Sequence, residues 1–228
     1  MARSQIIGTG SYAPEKVLTN ADLEKLVDTT DAWITERTGI RERRVAAPDE
    51  ATSDMAVQAA RRALEMAGVR PDELELIVVG TVSPDMPMPS CAALVQAKLG
   101  AKRAFVFDVA AACAGGLYAL TVADQFLRTG QVKRALVIGA ELFSRVVNWE
   151  DRNTCVLFGD GAGAMVLAAS EDEERGLLSS HLHTDGSLAD ILCIPGGGTR
   201  KSFSEEVLRD KLHTLHMNGR EVFKFAVR

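Results

Sequence analysis

Five consecutive residues, Leu76-Ile77-Val78-Val79-Gly80, carry no polar side chain. Successive residues of a strand point to opposite faces, so a strand without polar alternation is buried on both. Such a strand needs a layer above it and another below. The same rhythm recurs along the chain. Helices are predicted over Thr52–Ala67, Ser90–Leu99 and Cys113–Arg128, and strands over Ala104–Val109 and Arg134–Gly139. Leu157–Ala168 contains FGDGAGAMVL, a glycine-broken turn running into another buried strand. Strands alternating with helices predict an α/β fold with a largely parallel sheet covered on both faces.

Shorter signals fill the gaps. Gln5–Gly10 reads as a strand, and Asn20 as the N-cap of a helix over Ala21–Val27. Thr30–Arg37 reads as a helix closed by Gly39, and Ser53 as the cap of the helix that Gly68 ends. The acidic run Glu171–Arg175 (EDEER) is the expected boundary between residues 1–170 and 176–228. Beyond it the pattern predicts a strand over Leu177–Thr184, a glycine-rich loop over Pro195–Thr199 and a helix opening at Arg220. Phe223, Phe225 and Val227 stop in mid-pattern without a cap, so a piece of a longer protein is expected in preference to a true short product, which would leave the apolar face of that helix exposed.

Composition removes several function classes. The formal net charge of −5 over 228 residues opposes a nucleic-acid footprint. No apolar run approaches the roughly 18 residues that span a bilayer, so a cytoplasmic protein is expected. The four cysteines, at 91, 113, 155 and 193, form no CxxC pair and fit neither a zinc site nor a disulfide framework. His213 and His216 lie one turn apart but have no third ligand in the sequence, and no metal site is expected. Three of the cysteines read as small buried hydrophobes.

Cys113 reads differently. It stands in FDVAAACAGG (Phe107–Gly116), where a buried strand passes through small residues into a cysteine and then a helix. Unpaired N–H groups and the positive end of the helix dipole favour a thiolate there, and the same amides can hold the oxygen of a thioester. Ala111, Ala112, Ala114 and Gly115 leave room for a substrate to approach the backbone.

Four segments then match one family in order. FDVAAACAGGLYAL resembles the nucleophile segment of β-ketoacyl-[acyl carrier protein] synthase III, of the thiolase superfamily. Trp33–Arg41 (WITERTGIR) resembles its WIxxRTGIxxR segment. Asp151–Thr154 followed by Phe158–Ala164 resembles its DR…FGDGAGA segment, and His216–Lys224 (HMNGREVFK) its M-x-G-x-E-V-F-K segment.

The resemblance implies a layered αβαβα fold of two similar halves, the first complete in residues 1–170 and the second begun in 176–228, working as a homodimer. It implies that Cys113 takes a short acyl group from acyl-CoA, with no cofactor beyond that substrate. Malonyl-[acyl carrier protein] then decarboxylates and attacks the thioester to give 3-ketoacyl-[acyl carrier protein], the first condensation of fatty-acid synthesis. By position, Trp33, Arg37 and Arg152 match residues that hold coenzyme A, and Thr38, Gly219 and Phe223 match lesser contacts along the same tunnel. Met88 matches a residue that reaches across the dimer to close the partner's acyl pocket. Isolated, the arginines would read as solvated charges and Trp33 and Phe223 as core packing; their places in matched segments reverse that.

Two departures stand out. Gly116 replaces the bulky aromatic common after the family's Cys-x-Gly step, which leaves the width of the acyl pocket open. The family's catalytic histidine and asparagine, in HQAN-like and GN-type segments, do not occur in these 228 residues. Full activity is therefore expected only of a complete chain. Two alternatives remain at this stage: a polyketide starter-unit synthase or acyltransferase of the same superfamily, and a non-catalytic acyl-CoA or carrier-protein binding module. A dinucleotide site is excluded, because FGDGAGA runs into a strand instead of opening a helix.

Overall fold

In the computed structural model, which describes residues 3–170, 172 and 175–227, the Leu76–Gly80 run forms the strand expected of it, with all five residues buried. In chain order the elements are β1 (Arg3–Tyr12), β2 (Lys16–Thr19), α1 (Asn20–Leu23), α2 (Asp31–Thr38), β3 (Glu42–Val45), α3 (Thr52–Ala67), β4 (Leu76–Gly80), α4 (Cys91–Leu99), β5 (Phe105–Val109), α5 (Gly115–Arg128), β6 (Arg134–Leu142), α6 (Arg152–Cys155), β7 (Asp160–Ser170), β8 (Leu192–Cys193), α7 (Glu205–Arg209), β9 (His216–Met217) and α8 (Gly219–Ala226). They fall into two compact units. Unit 1 comprises Met1–Glu15, Ala46–Leu142 and Asp160–Leu182; unit 2 comprises Lys16–Val45, Phe143–Gly159 and His183–Arg228. These units follow compactness and cut the chain differently from the 1–170 and 176–228 halves. Glu171, Glu173 and Glu174 of the expected boundary lie outside the described residues.

Unit 1 is a sandwich around a five-stranded sheet of order β1-β7-β6-β4-β5. Along β4, Ile77 and Val79 face α3 and α4, while Leu76 and Val78 face α5. Each of these four side chains is fully buried, a contribution of roughly 1.5–3 kcal/mol apiece. The sheet is mixed, not largely parallel. β4 runs parallel to β5 and β6, but β7 is antiparallel to both β6 and β1. The reason lies in the connection: β6 ends at Leu142 directly opposite Asp160, where β7 starts, so the intervening segment leaves and returns at one end of the sheet without crossing it.

Other corrections are local. The N-cap of α1 is Thr19, in a capping box with Asp22, and not Asn20. Ala51, not Ser53, occupies the N-cap position of α3; the Ser53 hydroxyl and amide are both bonded to Asp85. Residues 177–184 form no strand: Leu177 donates one backbone bond to the Ser4 carbonyl, and the following residues have no neighbouring strand among the described residues.

In unit 2, Leu23, Ile34, Val147, Cys155 and Val156 form a small core flanked by Trp33, Trp149 and Phe158. A buried polar pin organises it. Arg43 of β3 donates to the Asn20 side chain at 2.8 Å and to the Val156 carbonyl at 2.7 Å. Asn20 in turn donates to Asp31 and to the Ile40 carbonyl, each at 2.8 Å. Asn20 thus ties α1, α2 and β3 together, which is why it is buried instead of capping. Desolvation holds the Arg43 guanidinium below its ordinary pKa.

Helix α5 packs on β4 through glycines. A Cβ on Gly80 would sit 2.5 Å from the Gly115 carbonyl carbon, whereas one on Gly116 would meet nothing within 4 Å. Gly80→Ala is therefore expected to destabilise unit 1 by about 1–3 kcal/mol and lower its melting temperature by several degrees. Gly116→Ala is expected to leave stability unchanged or raise it slightly, since glycine costs a helix about 0.5–1 kcal/mol relative to alanine. Equal melting temperatures for Gly80→Ala and the wild type would contradict the packing.

Candidate active site

The turn between β5 and α5 carries the one exposed cysteine among the described residues. Cys91 and Cys155 are buried and Cys193 half-buried, and burial pushes all three thiols above their ordinary pKa. Cys113 occupies the middle of a single 3₁₀ turn, Ala112–Ala114, that precedes α5. Its neighbour Ala112 has φ of 45°, a left-handed conformation rarely adopted by a residue with a side chain. Two residues after Cys113, Gly115 is buried against Gly80, while Ala112 and Cys113 stay exposed, so the chain passes from surface to core within this turn.

The amides differ from the expectation. The N–H of Ala114 is bonded to the Ala111 carbonyl, and that of Gly115 to the Ala112 carbonyl. These two donors are committed to the turn, so an oxyanion would have to be held by others. Asp108, five residues upstream, is committed as well: its carboxylate accepts from the amides of Cys91 and Ala92 at 2.7 and 2.8 Å, capping α4.

The loop after β4 is pinned by acids. Glu141 accepts from the Val82 amide at 2.9 Å and also bonds the hydroxyls of Thr81 and Ser83. Burial raises its pKa despite those bonds. Asp85 accepts from Ser53 twice, at 2.8 and 2.7 Å. The loop so held presents Met88 with 83% of its surface exposed, and Leu117 on the first turn of α5 is exposed too. Gly116 is half-buried and its Cβ direction is empty. Neither a positive φ nor close packing requires glycine there.

Unit 2 contains a cleft of about 660 Å³. Trp33, Arg37, Thr38, Arg152, Gly219 and Phe223 all line it, from α2, α6 and α8. Thr30 caps α2 through the Trp33 amide, and Gly39 closes it in the left-handed conformation. Within that helix Ile34 faces the core and Trp33 lies half-buried at its edge. The guanidinium of Arg37 lies 4.6 Å from the centroid of the Trp33 ring, and that of Arg152 4.9 Å. Arg152 also donates to the Asp28 carbonyl at 2.8 Å. The Thr38 hydroxyl is used locally, donating to Ile34 and accepting from Ile40, so it contributes surface more than a free polar group. Phe223, 67% exposed, offers an apolar wall.

Further residues line the cleft that sequence reasoning did not single out, among them Asn153, Met217, Arg220 and Lys224. Their signal was present. Gly219 and Phe223, and Arg220 and Lys224, are pairs four apart on α8, so one helix edge carries all four. No carboxylate lines the cleft, while four cations do. An indole with two guanidiniums over its ring, beside an apolar wall and without acids, is an arrangement chemically suited to a flat aromatic group carrying phosphates.

Residues 107–186 match the family model for 3-oxoacyl-[acyl-carrier-protein] synthase III. Over 98% of its length the chain is 55% identical to β-ketoacyl-[acyl-carrier-protein] synthase III of Caldanaerobacter subterraneus subsp. tengcongensis, covering 67% of that protein. The chain belongs to the β-ketoacyl-[acyl carrier protein] synthase III family. It is 57% identical to the family member from Symbiobacterium thermophilum over the same shares of both chains. The solved 3-oxoacyl-[acyl-carrier-protein] synthase III of Aquifex aeolicus superposes with a TM-score of 0.87 at 49% identity, covering 97% of this chain and 67% of that one. The α/β architecture is thus the thiolase-type fold of this family. The chain spans about two thirds of the length of these relatives.

The strained turn gives a direct expectation. Ala112→Gly removes the left-handed penalty of about 1–2 kcal/mol and should raise the melting temperature by a few degrees. A lowered melting temperature would contradict the positive φ at Ala112.

Proposed function

We propose that the chain provides the acyl-accepting part of a β-ketoacyl-[acyl carrier protein] synthase III, a condensing acyltransferase that initiates fatty-acid synthesis. The observation that carries this reading is Cys113, exposed on a strained turn inside the segment shared with the family. A structural cysteine needs neither exposure nor strain, and a binding module needs no thiol. The names of the relatives favour the condensing enzyme over the polyketide and non-catalytic alternatives.

The chemistry follows from the residues. The Cys113 sulfur attacks the carbonyl carbon of an acyl-CoA thioester, the bond from that carbon to the coenzyme's sulfur breaks, and coenzyme A leaves with the proton the thiol gave up. Malonyl-[acyl carrier protein] then loses carbon dioxide, and the resulting enolate carbon attacks the Cys113 thioester. The new carbon–carbon bond expels the cysteine sulfur and yields 3-ketoacyl-[acyl carrier protein]. No cofactor enters this sequence; acyl-CoA is a substrate. The enolate's oxygen would be stabilised by the histidine and asparagine that the family carries in segments absent from these 228 residues.

The cleft of unit 2 is the proposed coenzyme site. Trp33, with the Arg37 and Arg152 guanidiniums now over its ring, is the proposed stacking partner of the adenine, which would slide between ring and guanidinium; the two arginines supply charge for phosphate, and Thr38, Gly219 and Phe223 form walls. In unit 1, the empty direction at Gly116 and the exposed Met88 are the proposed determinants of the acyl pocket. Homodimer formation is supported by β5, an edge strand with an unpaired side among the described residues, and by the exposed Met88 and Leu117. The division into thiolase halves at 1–170 and 176–228 belongs to the same reading. No helix among the described residues is long and apolar enough to cross a membrane. A cytoplasmic location accords with cytosolic substrates.

The test is condensation in the protein extended through the family's histidine and asparagine segments, with 3-ketoacyl-[acyl carrier protein] read by mass. Cys113→Ala should lower product formation by at least a thousandfold while preserving the melting temperature. Gly116→Phe should suppress branched and longer acyl donors more than acetyl-CoA. Wild-type product from Cys113→Ala would overturn the assignment, and an unchanged donor preference in Gly116→Phe would overturn the pocket.

A further inference from the structure

We infer that Arg220 contacts a phosphate of the coenzyme, a role distinct from that of the two arginines against the indole; this rests on the coenzyme A reading of the cleft. Four cations line that cleft: Arg37, Arg152, Arg220 and Lys224. Three are already engaged. Arg37 and Arg152 lie over Trp33, and Arg152 further donates to the Asp28 carbonyl. Lys224 is ion-paired with Glu221 at 2.7 Å.

Arg220 alone of the four has no carboxylate, carbonyl or ring partner among the described residues, and it is exposed. It stands in the first turn of α8, where the helix dipole adds positive potential to its own charge. Asn218 caps that turn through the Glu221 amide, so the cap leaves the guanidinium free. No acid lines the cleft wall, and of its cations only Lys224 is paired with a carboxylate, so positive charge faces the space an anion would fill. The planar fork of a guanidinium matches two phosphate oxygens at once. A ligand that stacks on Trp33 and carries phosphates away from its ring is the anion that fits.

Coenzyme A carries phosphate at the pyrophosphate and at the ribose 3′ position, and the experiment separates them. Dissociation constants of acetyl-CoA and of its 3′-dephospho form are measured by calorimetry for the wild type, Arg220→Gln and Arg220→Lys. The rate of Cys113 acylation by acetyl-pantetheine, which has neither pyrophosphate nor ribose phosphate, is measured beside them. Arg220→Gln should weaken acetyl-CoA about tenfold, the size of one exposed charge-assisted contact. It should reduce the salt dependence of binding and leave acetyl-pantetheine unaffected, and Arg220→Lys should recover part of the loss. A loss confined to acetyl-CoA assigns the ribose phosphate; an equal loss on the dephospho form assigns the pyrophosphate. Unchanged acetyl-CoA affinity, or an equal loss with acetyl-pantetheine, overturns the role of Arg220. Wild-type protein that binds no acetyl-CoA overturns the coenzyme reading itself, before any variant is compared.

Discussion

Helix α5 approaches strand β4 so closely that the Gly80 position has no room for a methyl group against Gly115. Much of unit 1 around the cysteine follows from that contact. The chain leaving β5 at Val109 has only Ala110 and Ala111 before the 3₁₀ turn, and the helix it must enter is already pressed against the sheet. A smooth exit is not open to it. Ala112 takes up the difference in a left-handed conformation, and Cys113 is lifted clear of the core while the other two cysteines of the central segments are buried. Strain in a backbone persists only where surrounding packing over-determines it. Here the packing is β4 between two helical layers, with each of its apolar side chains fully buried.

Unit 2 solves a different problem, that of presenting arginines beside an aromatic ring without pairing them with acids. The Arg43–Asn20 pin fixes β3, α1 and α2, and through the Val156 carbonyl the end of α6. With those elements held, Trp33 stays at the rim of its small core and the guanidiniums of Arg37 and Arg152 rest against its ring. The two arginines are held by a π face, and Arg152 also by the Asp28 carbonyl, rather than by carboxylates. The two units thus differ in what they present: unit 1 an exposed cysteine beside a strained residue, unit 2 a cation-lined cleft with no acid on its wall.

The parts of this arrangement that depend on local pattern were legible in the sequence. The doubly buried strand, the glycine stops at Gly39 and Gly68, the helix after Cys113 and the six cleft residues within matched segments all could be read from spacing and resemblance. What escaped reading depends on distant partners. Asn20 looks like a cap because nothing nearby reveals that Arg43 needs it buried. Ser53 looks like a cap until Asp85 is seen to hold it. The antiparallel β7 follows from where residues 143–159 return, which periodicity does not encode. The close approach of Gly80 to Gly115 joins residues far apart in the chain, so the small residues around Cys113 read as room for substrate when part of their purpose is packing. Arg220 escaped because one exposed arginine says little until its neighbours are seen to be engaged.

The most direct measurement is the intact mass of the 228-residue chain after incubation with acetyl-CoA, beside Cys113→Ala treated identically. The account predicts a single acetyl adduct on the wild-type chain, released by hydroxylamine as a thioester is, and none on the variant. An unmodified wild-type chain, or an adduct of equal yield on Cys113→Ala, would contradict it.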